Sequence, residues 1–182
     1  MKTLNEIYLE VGTGPDGWGD KGTAHSYIEE YERLLSPYRE KEITLLEIGV
    51  QLGHSVQMWK KYFTNSTIYG ADIKNANHKH LLDNPDYNII THDATKPSFL
   101  EEVKGVTFDI IVDDGSHRFE DQISSFNLLK PLMNPGGIYI IEDVANLDNK
   151  IPTFQSLHEN NEILDRRKIK NRYDDVLIVY NF

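Results

Sequence analysis

The sequence contains no cysteine. That absence excludes a disulfide framework, a thiolate zinc site, an iron–sulfur centre and a cysteine nucleophile together. Basic residues are few: 19 Lys and Arg stand against 29 Asp and Glu, a formal net charge of −10. A protein that grips a nucleic-acid backbone needs a cationic face, so this balance argues against one. No apolar run approaches the ~20 residues that span a bilayer. Residues 1–10 lack the basic start and apolar stretch of a secretory signal. The expectation is a cytoplasmic protein with neither a membrane nor a nucleic-acid partner.

What is present points to one α/β domain over residues 1–182, a length that needs no covalent staple. Gly12, Gly14, Pro15, Gly17, Gly19 and Gly22 crowd the start, which predicts loop there and keeps the first two dozen residues out of the core. Tyr27, Ile28, Tyr31, Leu34 and Leu35 then fall on one face of a helix over 25–35, which Pro37 limits. From there apolar runs of strand length alternate with helical stretches. The runs are 44–50, 67–73, 87–92, 108–112 and 137–141; the helices fall near 53–63, 98–104, 119–133 and 153–160. Two further runs flanking 170–175 read as a closing hairpin that adds an antiparallel strand at the far side. The pattern predicts a Rossmann-like, mostly parallel sheet with helices on both faces.

In such sheets ligands bind beyond the carboxyl ends of the strands, where strand order reverses. The first run ends Glu47-Ile48-Gly49-Val50-Gln51-Leu52-Gly53, and Asp72 ends the second run 19 positions past Gly53. Two glycines that permit a tight turn, followed by an acid placed for ribose hydroxyls, imply an adenosine-type cofactor. The dinucleotide signature G-x-G-x-x-G lacks its third glycine here, which argues against an oxidoreductase, and no phosphate-binding G-x-x-x-x-G-K-[ST] string occurs. A tight strand-to-helix turn with no ligand is the plain alternative.

The fourth run closes on Asp113-Asp114-Gly115-Ser116-His117 and the fifth on Glu142-Asp143. Four carboxylates at neighbouring strand ends repel unless one is protonated or a cation is shared. An oxygen-only set suits Mg²⁺, Mn²⁺ or Ca²⁺. His117, three residues past Asp114, is placed to take a proton from a hydroxyl near neutral pH. Asp113, Asp114 and Ser116 also suit helix caps and turns, but that reading leaves the second acidic pair unexplained. The other histidines lack such company and are expected mostly at the surface, with His54 set apart by its place in the glycine loop.

The strings DKGTAHSY (20–27), LEIGVQLGHSVQMW (46–59), IYGADI (68–73), IIVDDGSH (110–117) and GGIYIIEDV (136–144) together resemble the sugar O-methyltransferases of macrolide biosynthesis, the mycinamicin and macrocin O-methyltransferase group. The resemblance covers 20–144. It implies a class I S-adenosylmethionine-dependent methyltransferase that uses Mg²⁺ to methylate a sugar hydroxyl of a glycosylated natural product or glycan. By motif position it places the metal on Asp114, Glu142 and Asp143 and the general base on His117. It places Glu47, Gly49, Gly53, Ser55 and Asp72 around the cofactor, with Asp93 and Asp113 nearby. Lys21, Thr23, His25 and Tyr27 match a stretch that folds over the cofactor, within an N-terminal covering loop and helix, 1–36. The macrolide enzymes carry additional segments that shape the acceptor site and the oligomer, whereas this chain starts close to DKGT. An open site would suit a large glycan, and a homo-oligomer is compatible with it. A cofactor-binding partner subunit without methyl transfer is the alternative.

Overall fold

A computed structural model describes residues 1–11, 19–74 and 79–182, with the side chain of Lys79 left aside. Gly12, Gly14, Pro15, Gly17 and His78 therefore lie outside the described residues.

Seven strands form one sheet: β1 (Ile43–Ile48), β2 (Ser66–Asp72), β3 (Tyr87–Thr91), β4 (Phe108–Asp113), β5 (Met133–Ile141), β6 (Asn161–Asp165) and β7 (Val176–Asn181). Their order is β3-β2-β1-β4-β5-β7-β6. β1 pairs in parallel with both β2 and β4, so the strand order reverses beside β1. A crevice opens there, beyond Ile48 and Asp113, which are paired in register. Parallel pairing of β4 with β5 sets Asp113 beside Ile141 and so brings the two acidic strand ends together.

Consecutive residues of a strand face opposite sides of the sheet. Leu45, Ile110 and Ile138 pack one way, against Tyr31, Val56 and Trp59. Leu46, Ile111 and Tyr139 pack the other way, against Phe99, Phe126 and Tyr180. Central strands buried on both faces therefore read as continuous apolar runs. The first face is covered by α1 (Leu4–Val11), α2 (Ile28–Leu35) and α3 (His54–Tyr62). The remaining helices are α4 (Lys79–Leu82), α5 (Phe99–Glu102), α6 (Phe119–Leu129), α7 (Ile151–Leu157) and α8 (Arg167–Lys170).

Two expectations are corrected. The first two dozen residues are not outside the core: α1 buries Leu4, Ile7 and Tyr8, and Gly19, Lys21 and Ala24 to Tyr27 include further buried positions. The helix after β4 ends at Leu129 rather than Met133, because Pro131 opens a short 3-10 turn at 130–132, and Met133 begins β5. The closing hairpin lies at the far side of the sheet, as expected. β7 inserts between β5 and β6, antiparallel to both, and β6 takes the edge. Among the described residues no helix is long and apolar enough to cross a membrane.

Candidate active site

The loop after β1 is shaped by backbone that side chains rarely adopt. Gly49 has φ +90° and Gly53 φ +80°. A Cβ on Gly53 would stand 2.2 Å from Leu81 Cδ1, so the start of α3 packs directly on α4. Asp72, at the end of β2, accepts from the amides of Val50 (3.0 Å) and Gln51 (2.9 Å) on Oδ2, and from the amide of Lys74 (3.0 Å) on Oδ1. It thus clamps the β1 loop while standing in the wall of a cleft of about 590 Å³. That wall also holds Gly49, Asp93, Asp113, Asp114, His117 and Ile73. Ile73 is 66% exposed, an apolar surface facing the cleft beside an acid. Asp93 accepts from the amide and hydroxyl of Thr95 (2.9 and 2.7 Å).

At the cleft's other end three carboxylates surround one ammonium. Lys21 Nζ donates to Asp114 Oδ2 (2.7 Å) and to Glu142 Oε1, and lies 3.4 Å from Glu47 Oε1. Burial works against the charge on Lys21, but Asp114, Glu142 and Glu47 outweigh it and hold its pKa well above the usual lysine range. Burial pushes the Glu142 carboxyl well up, and the Asp114 charge adds to this. Burial also raises Glu47, to about 7, against the opposing pull of Lys21. The Ser55 hydroxyl donates to Glu47 Oε2 at 2.8 Å.

On the opposite side of Asp114, His117 Nε2 lies 3.0 Å from Oδ1, and His117 Nδ1 lies 3.6 Å from Asp143 Oδ2. Both His117 (φ +57°) and Asp143 (φ +56°) have left-handed backbone. Burial favours the neutral imidazole, yet the hydrogen bond to Asp114 and the charges of Asp114 and Asp143 prevail and lift the His117 pKa to about 9. In this field the ring stays protonated at neutral pH.

A buried layer supports the carboxylates from behind. The Tyr27 hydroxyl donates to Asp143 Oδ1 at 2.8 Å and accepts from the Val176 amide at 3.1 Å. Tyr31 donates to Glu142 Oε1. His25 stacks on Tyr27 with centroids 4.8 Å apart, and its Nδ1 lies 3.2 Å from Asp143 Oδ1. Asp175 accepts from the amide and hydroxyl of Ser26 (3.1 and 2.7 Å), tying the chain's two ends together. Asp113 faces inward: Ser125 donates to it and burial raises its pKa to about 6.

The expected residues therefore divide. Gly49, Asp72, Asp93, Asp113, Asp114 and His117 share the cleft wall, and Gly49, Gly53, Ser55 and Lys21 line a second, smaller hollow that meets it at Gly49 and Asp114. Tyr27 and His25 are buried behind Asp143, and the Thr23 hydroxyl closes a turn on the Gly19 carbonyl at 2.7 Å. His25 is thus no surface histidine. Asp114 groups with His117 and Asp143 on one side and with Glu47 and Glu142 on the other, ligand atoms within 4.8 Å in each group. Tyr31, Asp175 and Ser26 were not legible as site residues. Their spacing marked only a helix face and a turn.

The strand order and the crevice beside β1 are those of a class I methyltransferase fold. Residues 46–144 match the family described as a methyltransferase domain, and the chain belongs to it. The 8-demethyl-8-alpha-L-rhamnosyl tetracenomycin-C 2'-O-methyltransferase of Streptomyces olivaceus is 32% identical over 161 residues, 84% of this chain and 40% of that protein. Demethylmacrocin O-methyltransferase of Streptomyces fradiae is 36% identical over 132 residues, 68% of this chain and 33% of that protein. The MycE methyltransferase of the mycinamycin biosynthetic pathway, solved with Mg and SAH, superposes with a TM-score of 0.75 at 27% identity, covering 99% of this chain and 55% of that one. This chain spans less than half the length of the two curated relatives.

Proposed function

We propose that this chain carries out S-adenosylmethionine-dependent, divalent-cation-dependent O-methylation of a sugar hydroxyl on a glycosylated natural product or glycan. The observation that carries the reading is the junction at Asp114. This residue holds His117 on one oxygen, sits among the carboxylates with the other, and faces the cleft that Gly49 and Asp72 shape. Two relatives' names, a rhamnosyl tetracenomycin-C 2'-O-methyltransferase and an L-olivosyl-oleandolide 3-O-methyltransferase, support the substrate class.

The donor set fits a hard cation. Asp114, Glu142 and Asp143 would hold it, as oxygen ligands suited to Mg²⁺. Bound there, it would lower the pKa of a coordinated hydroxyl and offset the carboxylate field on His117. The cleft fits S-adenosylmethionine, whose sulfonium makes its methyl group electrophilic. Asp72 and Ile73 form a polar and an apolar wall for a nucleoside, and the Gly49 loop leaves room for the amino-acid end. His117 would take the proton of the acceptor hydroxyl, and Asp114 keeps its ring in place. Tyr27 and Tyr31 fix the carboxylates from below.

The test is calorimetric titration of S-adenosylhomocysteine with Mg²⁺ and with EDTA, beside turnover of methyl-labelled donor on a panel of rhamnosides and related glycosides. Cofactor binding, with labelled product that Asp114→Ala abolishes, is the expected result. Absence of cofactor binding in either buffer would overturn the reading, and binding without product on any glycoside would favour a non-catalytic cofactor-binding role.

A further inference from the structure

The strand order lays the site out along one edge of the sheet. The cleft wall of Gly49, Asp72 and Asp93 follows the ends of β1, β2 and β3, and the carboxylate cluster with His117 follows β4 and β5. Beyond them come β7 and β6. β7 runs antiparallel to β5 with Ile178 opposite Ile141, and its Val176 is opposite Asp165 of β6. The connection between β6 and β7, residues 166–175, therefore lies at the same edge as the cluster. The Tyr27 hydroxyl ties the two together, donating to Asp143 Oδ1 at 2.8 Å and accepting from the Val176 amide at 3.1 Å. A methyl donor seated over β1 to β3 occupies one side of the cluster. The side of the β6–β7 connection is left for the body of the acceptor.

That connection is fixed in place yet keeps apolar surface in water. Arg167 pairs with Asp148 at 3.0 Å and Asp165 at 2.7 Å. Lys170 Nζ donates to the carbonyls of Gly22 (3.3 Å) and Thr23 (3.0 Å), and Arg172 Nε donates to Asp174 Oδ1 at 2.7 Å. Among these ties Ile169 is 57% exposed and Tyr173 70% exposed. Among the described residues the Tyr173 side chain has neither a hydrogen-bond partner nor a ring partner. Single exposed apolar side chains are common. An aromatic ring on a segment held by polar ties, at the rim of a cleft, is different: much of the ordering cost of binding is already met, and the ring offers a large, rigid contact surface.

We propose that Tyr173 is a specificity-determining contact for the acceptor, its ring stacking on the apolar face of a pyranose. A pyranose presents C–H bonds on its faces, and the electron-rich face of an aromatic ring attracts their positive ends. Tyr173 touches no reacting atom in this role, so it acts on acceptor affinity and leaves the chemical step alone. The identity of the acceptor as a glycoside rests on the function proposed above, whereas the binding role of Tyr173 is read without methyl transfer.

The experiment measures binding of a panel of rhamnosides and related glycosides by saturation-transfer NMR, with S-adenosylhomocysteine and Mg²⁺ present, in the wild type, Tyr173→Ala and Tyr173→Phe. Acceptor KM and kcat are taken wherever labelled methyl is transferred. Tyr173→Ala should weaken glycoside binding and raise the acceptor KM by roughly threefold to tenfold. Its kcat and its affinity for S-adenosylhomocysteine should stay within about twofold, and Tyr173→Phe, which keeps the ring, should match the wild type within the same margin. Glycoside binding that depends on Tyr173 without any methyl transfer would end the methyltransferase reading and keep the role of Tyr173. Methyl transfer with the same acceptor KM in the wild type and Tyr173→Ala would overturn that role and keep the reading. A fall in kcat or in cofactor affinity that matches the change in KM would also overturn it, as the mark of a structural effect. Failure of every glycoside to bind the wild type would overturn it as well, with the cofactor titration still deciding the function.

Discussion

Gly49 lies against the main chain of Asp114: a Cβ at position 49 would stand 1.9 Å from the Asp114 carbonyl oxygen. The loop that shapes the cofactor cleft and the residue at the centre of the carboxylate cluster are therefore packed backbone to backbone. Gly49→Ala must displace one of them and also place a side chain at φ +90°. The expected loss is at least about 2 kcal/mol of stability. Urea denaturation checks it, together with calorimetry for lost S-adenosylhomocysteine affinity. A variant with wild-type midpoint and affinity would show that the loop relaxes without consequence.

Tyr27→Phe removes one hydroxyl from behind a buried carboxylate. Asp143 Oδ1 loses its donor at 2.8 Å, while the Val176 amide keeps the Asp174 carbonyl at 2.7 Å. Leaving buried polar groups unpaired costs roughly 1–3 kcal/mol. The urea midpoint should fall accordingly with an unchanged slope, and Mn²⁺ affinity should weaken because Asp143 is no longer held. Unchanged affinity with lowered stability would limit Tyr27 to a structural role.

The parts of this architecture carried by local pattern were legible. Runs such as Phe108–Val112 read as buried strands because both faces of the sheet are covered, and Asp113, Asp114, Glu142 and Asp143 announced themselves as strand-end carboxylates. What depends on distant pairing was not legible. α1 spans only Leu4–Val11, too short for its period to stand out beside a glycine-rich stretch. The contact of Ser26 with Asp175 crosses 149 positions, and no spacing rule anticipates it. The same holds for Tyr27 and His25, which a motif set near the cofactor and the fold buries behind Asp143.

Glu47 makes stability depend on pH in a definite direction. Its carboxyl titrates near 4.5 in an unfolded chain and is raised, chiefly by burial, to about 7 in the folded protein. Between those values the folded state binds more protons, so this group's contribution is fully present below about 4.5 and is lost as pH rises through 7. Glu47→Gln removes that loss. Relative to the wild type, the variant should gain up to about 3 kcal/mol between pH 5 and pH 8. Urea titrations of both proteins at the two pH values give the difference. A variant that loses ground at pH 8 would mean that the pairing with Lys21 outweighs burial.

His117 stands in left-handed backbone, φ +57°, and that fixes how its role is best probed. Histidine and alanine both carry a Cβ into this region, but alanine enters it less readily, so alanine adds a small backbone cost to the loss of the ring. Asparagine tolerates the same conformation, so His117→Asn removes the imidazole with less disturbance of the loop. If the ring takes the acceptor proton, turnover of labelled methyl donor should fall by roughly 10²–10⁴ in this variant. Affinity for S-adenosylhomocysteine should stay within about twofold, since the Gly49 loop and Asp72 are untouched. The alanine variant should show the same fall in turnover with an added loss of stability. Turnover of His117→Asn within a few-fold of wild type would remove the base assignment and shift the proton's destination to solvent or to a carboxylate of the cluster.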